Sequence, residues 1–132
     1  MAKSEDLKSL EEIKEQIRKD FSFITKEPNI LGIFLFGSAV YKEHHQQSDI
    51  DICVVSSHKQ LVKAYNFIME NLSSHLQEYD IRFFRELPLT IQGEIMEHGI
   101  PILSRDIYEL YEYLFPYRKQ YEDWKFKVKY CI

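Results

Sequence analysis

Two aspartates one residue apart, Asp49 and Asp51, stand at the head of the apolar run Ile52-Cys53-Val54-Val55. Side chains two apart on a strand point to the same face, so these two carboxylates are presented together. That is the arrangement needed to hold one or two Mg²⁺ ions through oxygen ligands. Upstream, the pair Gly37-Ser38 directly follows a second apolar run, Ile30 to Phe36, and ten residues separate it from Asp49. Glycine after a strand allows a tight turn and a close approach of backbone to an anion. If a helix starts there, its free N–H groups and dipole favour phosphate. A phosphate cradle beside a metal platform points to chemistry on a nucleoside triphosphate.

A third carboxylate lies downstream. Asp80 sits inside the apolar and aromatic stretch Tyr79 to Phe84, where an unpaired charge is costly, and Arg82 projects from the same face two residues on. If this strand neighbours the one bearing Asp49 and Asp51, three carboxylates converge, and a cation makes that crowding favourable. The alternative is a plain Asp80–Arg82 ion pair. The three acidic residues together with Gly37-Ser38 favour the metal site.

The elements that must position these residues alternate between helix and strand. Leu7, Leu10, Ile13, Ile17, Phe21 and Ile24 recur at three- and four-residue spacing, which predicts an amphipathic helix. Ser9 and Glu12 form a capping box, and the helix ends before Pro28. Strands are expected over 30–36 and 49–55, with Ser56 or Ser57 capping a helix whose buried stripe is Leu61, Tyr65, Ile68 and Leu72. The third strand covers 78–84. Pro88 opens a short helix with Ile91 and Ile95 inward, ending near Gly99, and 100–103 forms an edge strand containing Pro101. Asp106 starts a last helical region that Pro116 interrupts or kinks. The pattern describes one compact α/β domain.

Composition narrows the function class. The 132 residues suit one domain, and 45% hydrophobic content supports a core. Seventeen basic against twenty-one acidic side chains give a net charge of −4, with no basic block to grip a nucleic-acid backbone. Extended nucleic-acid binding is not expected. No apolar stretch reaches membrane-span length and the N-terminus lacks a signal-peptide core, so a cytoplasmic protein without a membrane role is expected. Cys53 and Cys131 read as free thiols.

Gly-Ser, ten residues, Asp-x-Asp and a later strand aspartate resemble the nucleotidyltransferase superfamily that includes DNA polymerase beta. At this length the chain is most similar to the minimal nucleotidyltransferases (MNT), often paired with HEPN-domain partners in toxin–antitoxin modules. The likeness extends to the tail pattern Ile91…Ile95…Gly99-Ile100-Pro101-Ile102-Leu103. It implies an α/β (α+β) fold, a small mixed sheet flanked by helices, over 1–132 as a single domain with an aromatic-rich helical tail from about 105. It implies that Gly37 and Ser38 bind the phosphates of a nucleoside triphosphate. Asp49 and Asp51 would coordinate Mg²⁺, and Asp80 would complete a second metal site and help deprotonate the acceptor hydroxyl. Where many members carry Ala-Arg-Gly, this chain has Val40-Tyr41-Lys42 after Ala39, leaving Lys42, with Arg82, as the positive charges for the nucleotide.

The resemblance implies transfer of a nucleoside monophosphate, AMP from ATP, to a hydroxyl, with a tyrosine of a HEPN toxin as acceptor in an antitoxin role. The other class is a non-catalytic nucleotide-binding protein that neutralises its partner by occlusion. A small-molecule acceptor such as an aminoglycoside would call for a further helical domain. His44-His45, adjacent in a polar loop, reads as solvated rather than as a zinc site. Nine aromatic residues between Tyr108 and Tyr130 exceed what one half-buried helix needs. About half are expected in the core, and the rest suit docking of a partner or a second copy, a homo-oligomer through the tail.

Overall fold

The computed structural model describes residues 8–37, 40 and 49–130. It begins with helix α1 (Leu10–Asp20), whose capping box is complete: the Glu12 N–H donates to Ser9 Oγ at 3.1 Å and the Ser9 N–H to Glu12 Oε1 at 3.3 Å. The helix stops earlier than its apolar spacing predicts. At Ser22–Lys26 the chain tightens into a 3₁₀ turn. Ser, Phe, Ile and Thr are weak helix formers, and the tighter winding still turns Phe21 and Ile24 into the core.

The strands are β1 (Ile30–Leu35), β2 (Ile50–Ser56), β3 (Tyr79–Phe83) and β4 (Ile100–Ser104). They form one mixed sheet in the order β3-β2-β1-β4. β1 pairs antiparallel with both β2 and β4, while β2 and β3 run parallel. The parallel pair needs a crossover, and α2 (Leu61–Leu72) supplies it. β4 is an edge strand, as Pro101 requires.

Alternation along the strands divides the core in two. Ile33, Leu35, Ile52, Val54, Tyr79 and Phe83 face α1 and α2, meeting Ile13, Ile17, Ala64, Ile68 and Leu72. Leu31, Phe34, Cys53 and Val55 face the other way, toward α3 (Leu89–His98) and α4 (Ile107–Tyr130). Central strand β2 is thus covered on both sides, and burial pushes the Cys53 thiol pKa up.

Four details depart from the sequence expectations. Neither Ser56 nor Ser57 caps α2; Gln60 stands at that position with no side-chain cap bond. Ser56 closes β2 instead, its buried hydroxyl 2.6 Å from His58 Nδ1 and accepting the His58 N–H at 3.1 Å. The stripe of α2 runs through Ala64 rather than Tyr65, which is 49% exposed. Ile91 does not enter the core; its neighbours Gln92, Gly93 and Ile95 are the buried residues of α3. Finally, α4 is continuous through Pro116. Asp106 Oδ1 accepts the Tyr108 and Glu109 N–H groups at its start. Farther on, Tyr117 stacks edge-on against Phe84 at 5.1 Å, and the Tyr121 ring lies on Gly93 in space that any Cβ would fill. Packing on both sides of the proline offsets the lost backbone bond. No described helix is long and apolar enough to cross a membrane.

Candidate active site

The site is built where β2 and β3 run side by side. Their register sets Asp51 directly opposite Asp80. Side chains in register on neighbouring strands share a face, so these carboxylates meet on the α3/α4 side, since Ile50, Ile52, Tyr79 and Phe83 take the other. The convergence expected from sequence is present for this pair. Asp49 lies one residue ahead of β2, exposed, and its charge acts on Asp51 from there. Arg82 follows two rungs up β3 from Asp80. Its Nε donates to Asp80 Oδ1 at 3.2 Å and its Nη2 to Oδ2 at 3.5 Å. The ion pair weighed as the alternative therefore exists, within the same acidic group rather than in place of it.

Gly37 closes the site from the side of β1. The chain leaves β1 with the Phe36 N–H donating to the Asp51 carbonyl at 3.2 Å, and Gly37 then takes φ +79°. That left-handed conformation is one that residues with a Cβ rarely adopt. A Cβ built on Gly37 collides with Asp51 Oδ2. The bare backbone at this turn thus lets the Asp51 carboxylate pack directly against it. Ser38, Lys42 and the His44-His45 pair lie outside the described residues.

Electrostatics follow from the geometry. Burial raises the pKa of Asp51 above the usual carboxylate range, and the neighbouring Asp80, through its charge and a shared hydrogen bond, raises it further. Arg82 pulls in the opposite direction, and Asp49 adds a small upward push. The Arg82 guanidinium is in turn held charged by Asp80. Asp51 is a half-buried carboxylate surrounded mostly by like charge, an environment that a divalent cation would relieve. With oxygen donors on two strands and glycine backbone in place of a side chain, the donor set fits Mg²⁺.

A second group of metal-capable side chains lies elsewhere. Asp20, His75 and Glu78 bring ligand atoms within 4.8 Å of one another. They sit on the α1 side of the sheet, and their atoms are engaged locally: Tyr79 Oη donates to Asp20 Oδ2 at 2.6 Å, and His75 Nδ1 lies 2.9 Å from Glu78 Oε2. The two groups share no residue.

Sequence reading missed a mostly apolar cleft of about 150 Å³ beside Gly37, where Phe36 and Val40 face Ile91, Glu94, Ile95 and His98 of α3. Its signal is the spacing 91-94-95-98, one helical face that passes from apolar to titratable. Reading Ile91 as core concealed it.

Known proteins supply the family. Residues 15–108 match the family described as "Polymerase beta, Nucleotidyltransferase". A relative in Methanocaldococcus jannaschii, named "Putative protein adenylyltransferase", is 34% identical over 100 residues, 76% of each chain. Among solved structures, the fold resembles a complex of a tri-AMPylated HEPN toxin of Shewanella oneidensis with its MNT antitoxin. There the TM-score is 0.60 at 18% identity, over 91% of this chain and 92% of that one. It also resembles a toxin–antitoxin structure with AMP-PNP, at TM-score 0.60 and 19% identity over 88% and 89% of the chains. With the glycine turn, the paired strand aspartates and the mixed sheet all in place, the chain belongs to the polymerase beta nucleotidyltransferase family.

Proposed function

We propose that the protein transfers AMP from ATP to a hydroxyl acceptor on a protein, with Mg²⁺ as cofactor. The reading is carried by one observation: Asp51 and Asp80 face each other across β2 and β3 beside the side-chain-free backbone of Gly37. The name of the archaeal relative supports AMP as the transferred group, and the AMP-PNP structure supports an adenine nucleotide.

In this reading the unit spans residues 1–132. Gly37 and Ser38 receive the phosphates, with Lys42 and Arg82 as the cations that bind the nucleotide. Asp49, Asp51 and Asp80 hold two Mg²⁺ ions, which when bound neutralise charge developing on the phosphoryl group. The acceptor oxygen forms a bond to the α-phosphorus as the bond from that phosphorus to the bridging oxygen breaks. Pyrophosphate leaves, and the acceptor proton passes to the Asp80 carboxylate. Arg82 holds that carboxylate in place toward the rim of the site.

The AMPylated HEPN toxin held by an MNT antitoxin supports a HEPN-domain protein as the carrier of the acceptor. In this reading the acceptor is a tyrosine of such a toxin and the chain acts as its antitoxin in the cytoplasm. Exposed aromatics along α4, Phe115, Phe126 and Tyr130 among them, offer surface for such a partner or for a second copy. One observation favours a second reading, in which the chain binds nucleotide and neutralises its partner by occlusion: the Arg82 guanidinium already balances Asp80. Incubation with labelled ATP, Mg²⁺ and a HEPN partner separates the two. Transfer should occur with the parent protein and fall at least a hundredfold in Asp49→Asn, with the circular dichroism spectrum unchanged; undiminished transfer by the variant would overturn the assignment.

A further inference from the structure

β3 carries Asp80 and is also an open edge. Among the described residues its only strand neighbour is β2, so every second residue of Tyr79–Phe83 turns its N–H and C=O away from the sheet. An unpaired edge is ordinarily shielded by charge, proline or a covering element. β3 does carry charge, but Arg82 and Asp80 are paired with each other, and the flank beside them is largely apolar. A cleft of about 410 Å³ runs along it between α2 and the turn after β3, walled by Leu61, Val62, Tyr65, Ile81, Phe83 and Leu87 together with the charged Arg82 and Glu86. Val62 and Tyr65 are 58% and 49% exposed, high for large apolar side chains beside a sheet edge.

We propose that this edge takes an extended segment of the acceptor polypeptide as an added strand, which places the acceptor hydroxyl at Asp80; the inference rests on the transfer reading above. The geometry follows from β pairing. An added strand lies about 4.8 Å from β3, and a residue opposite Asp80 has its Cβ about 5 Å from that of Asp80, on the same face. A hydroxyl-bearing side chain there lies on the site face. Its neighbour in sequence, opposite Ile81, points to the other face and drops into the cleft at Leu61, Val62 and Tyr65. The acceptor segment therefore reads as a hydroxyl residue with apolar residues beside it. Main-chain pairing supplies affinity and the alternating pockets supply selection, the mode of strand addition. The exposed cation on this strand, Arg82, is engaged by Asp80, and the chain is acidic overall, so a polypeptide suits the edge better than a nucleic-acid backbone.

The test uses the full chain with ATP and Mg²⁺ and a short synthetic peptide carrying one tyrosine between two valines. Two further peptides carry N-methyl groups on alternating amides, one set each. Only the amides turned toward β3 pair with it, so one set should cut AMP transfer about tenfold or more, the equivalent of about 1.4 kcal/mol, while the other changes it less than twofold. Separately, in metal-free protein, the unmodified peptide should slow hydrogen exchange at the β3 amides, and Tyr65→Asp should remove that protection. Equal effects of both methylated sets, or no slowing at β3, would overturn the proposal. Calorimetry with ATP and Mg²⁺ in the same samples reports the nucleotide site independently. Absence of ATP binding would sink the transfer reading, while the exchange result would still decide the docking.

Discussion

Replacing Asp51 by asparagine should stabilise the metal-free fold while destroying its response to Mg²⁺. Asp51 is half-buried and faces Asp80 in register, with Asp49 adding like charge. Two carboxylates about 5 Å apart at an effective dielectric near 20 repel by about 3 kcal/mol. Partial exposure and the opposing Arg82 reduce the net cost to about 1 kcal/mol. Asparagine keeps the shape and removes the charge. In EDTA at pH 7 the variant should melt about 4 °C above the parent, the shift expected for that energy in a chain of this size.

The pH dependence gives the sign. The folded pKa of Asp51 lies above its unfolded value, so between the two the native state holds the extra proton and stability falls as pH rises. The cost is absent below the unfolded value, near 4, and complete above the folded one. The advantage of Asp51→Asn should therefore vanish in acid. Mg²⁺ reverses the ranking: at ten times a dissociation constant of order 1 mM it should stabilise the parent by about 1.4 kcal/mol and leave the variant unmoved. Differential scanning fluorimetry across pH, with EDTA or Mg²⁺, reads all of this. A variant less stable than the parent in EDTA, or equal Mg²⁺ shifts in both proteins, would refute the reasoning.

Gly37→Ala should lose nucleotide transfer and about 1–3 kcal/mol of stability, because its Cβ meets Asp51 Oδ2 at a left-handed φ; denaturant melts and the labelled-ATP assay check it. Leu110→Ala, which empties a fully buried position between α4 and the sheet, should cost about 2–5 kcal/mol in urea unfolding. Ser9→Ala should cost only about 1 kcal/mol, since it removes one side-chain cap at an exposed helix start, and the same melts should show the ranking.

Much of the site was legible because its signals are local or of period two. Alternation set Asp51 toward the face it takes, the charge in Tyr79 to Phe84 singled out Asp80, and a glycine after a strand marked the turn, whereas Asp49, expected on the strand beside Asp51, stands one residue ahead of it. That β2 and β3 are neighbours could only be supposed from sequence. It depends on α2 crossing back in one particular way, which no short window contains. The Ser9–Glu12 box, likewise confined to four residues, is present as read.

The misreadings share a cause: each position had two acceptable local states, and a distant contact chose between them. On α2 both 61-65-68-72 and 61-64-68-72 are helical stripes. The sheet surface takes the small Ala64, which leaves Tyr65 on the outside and forms one wall of the β3 cleft. In α4, proline in a helix interior costs about 3 kcal/mol by local propensity, enough to predict a break. Leu110 and Leu114 before it and Tyr117 and Tyr121 after it are all anchored on other elements, and that anchoring keeps the helix whole. The same anchoring explains why so many α4 aromatics remain outside. A single helix can direct only one stripe inward, and Leu110, Leu114, Tyr117 and Tyr121 already fill it. Tyr108, Phe115, Phe126 and Tyr130 therefore have no route to the core of their own chain, whatever their hydrophobicity. The aromatic excess that sequence showed is thus a property of the surface, set by helical geometry rather than by the core.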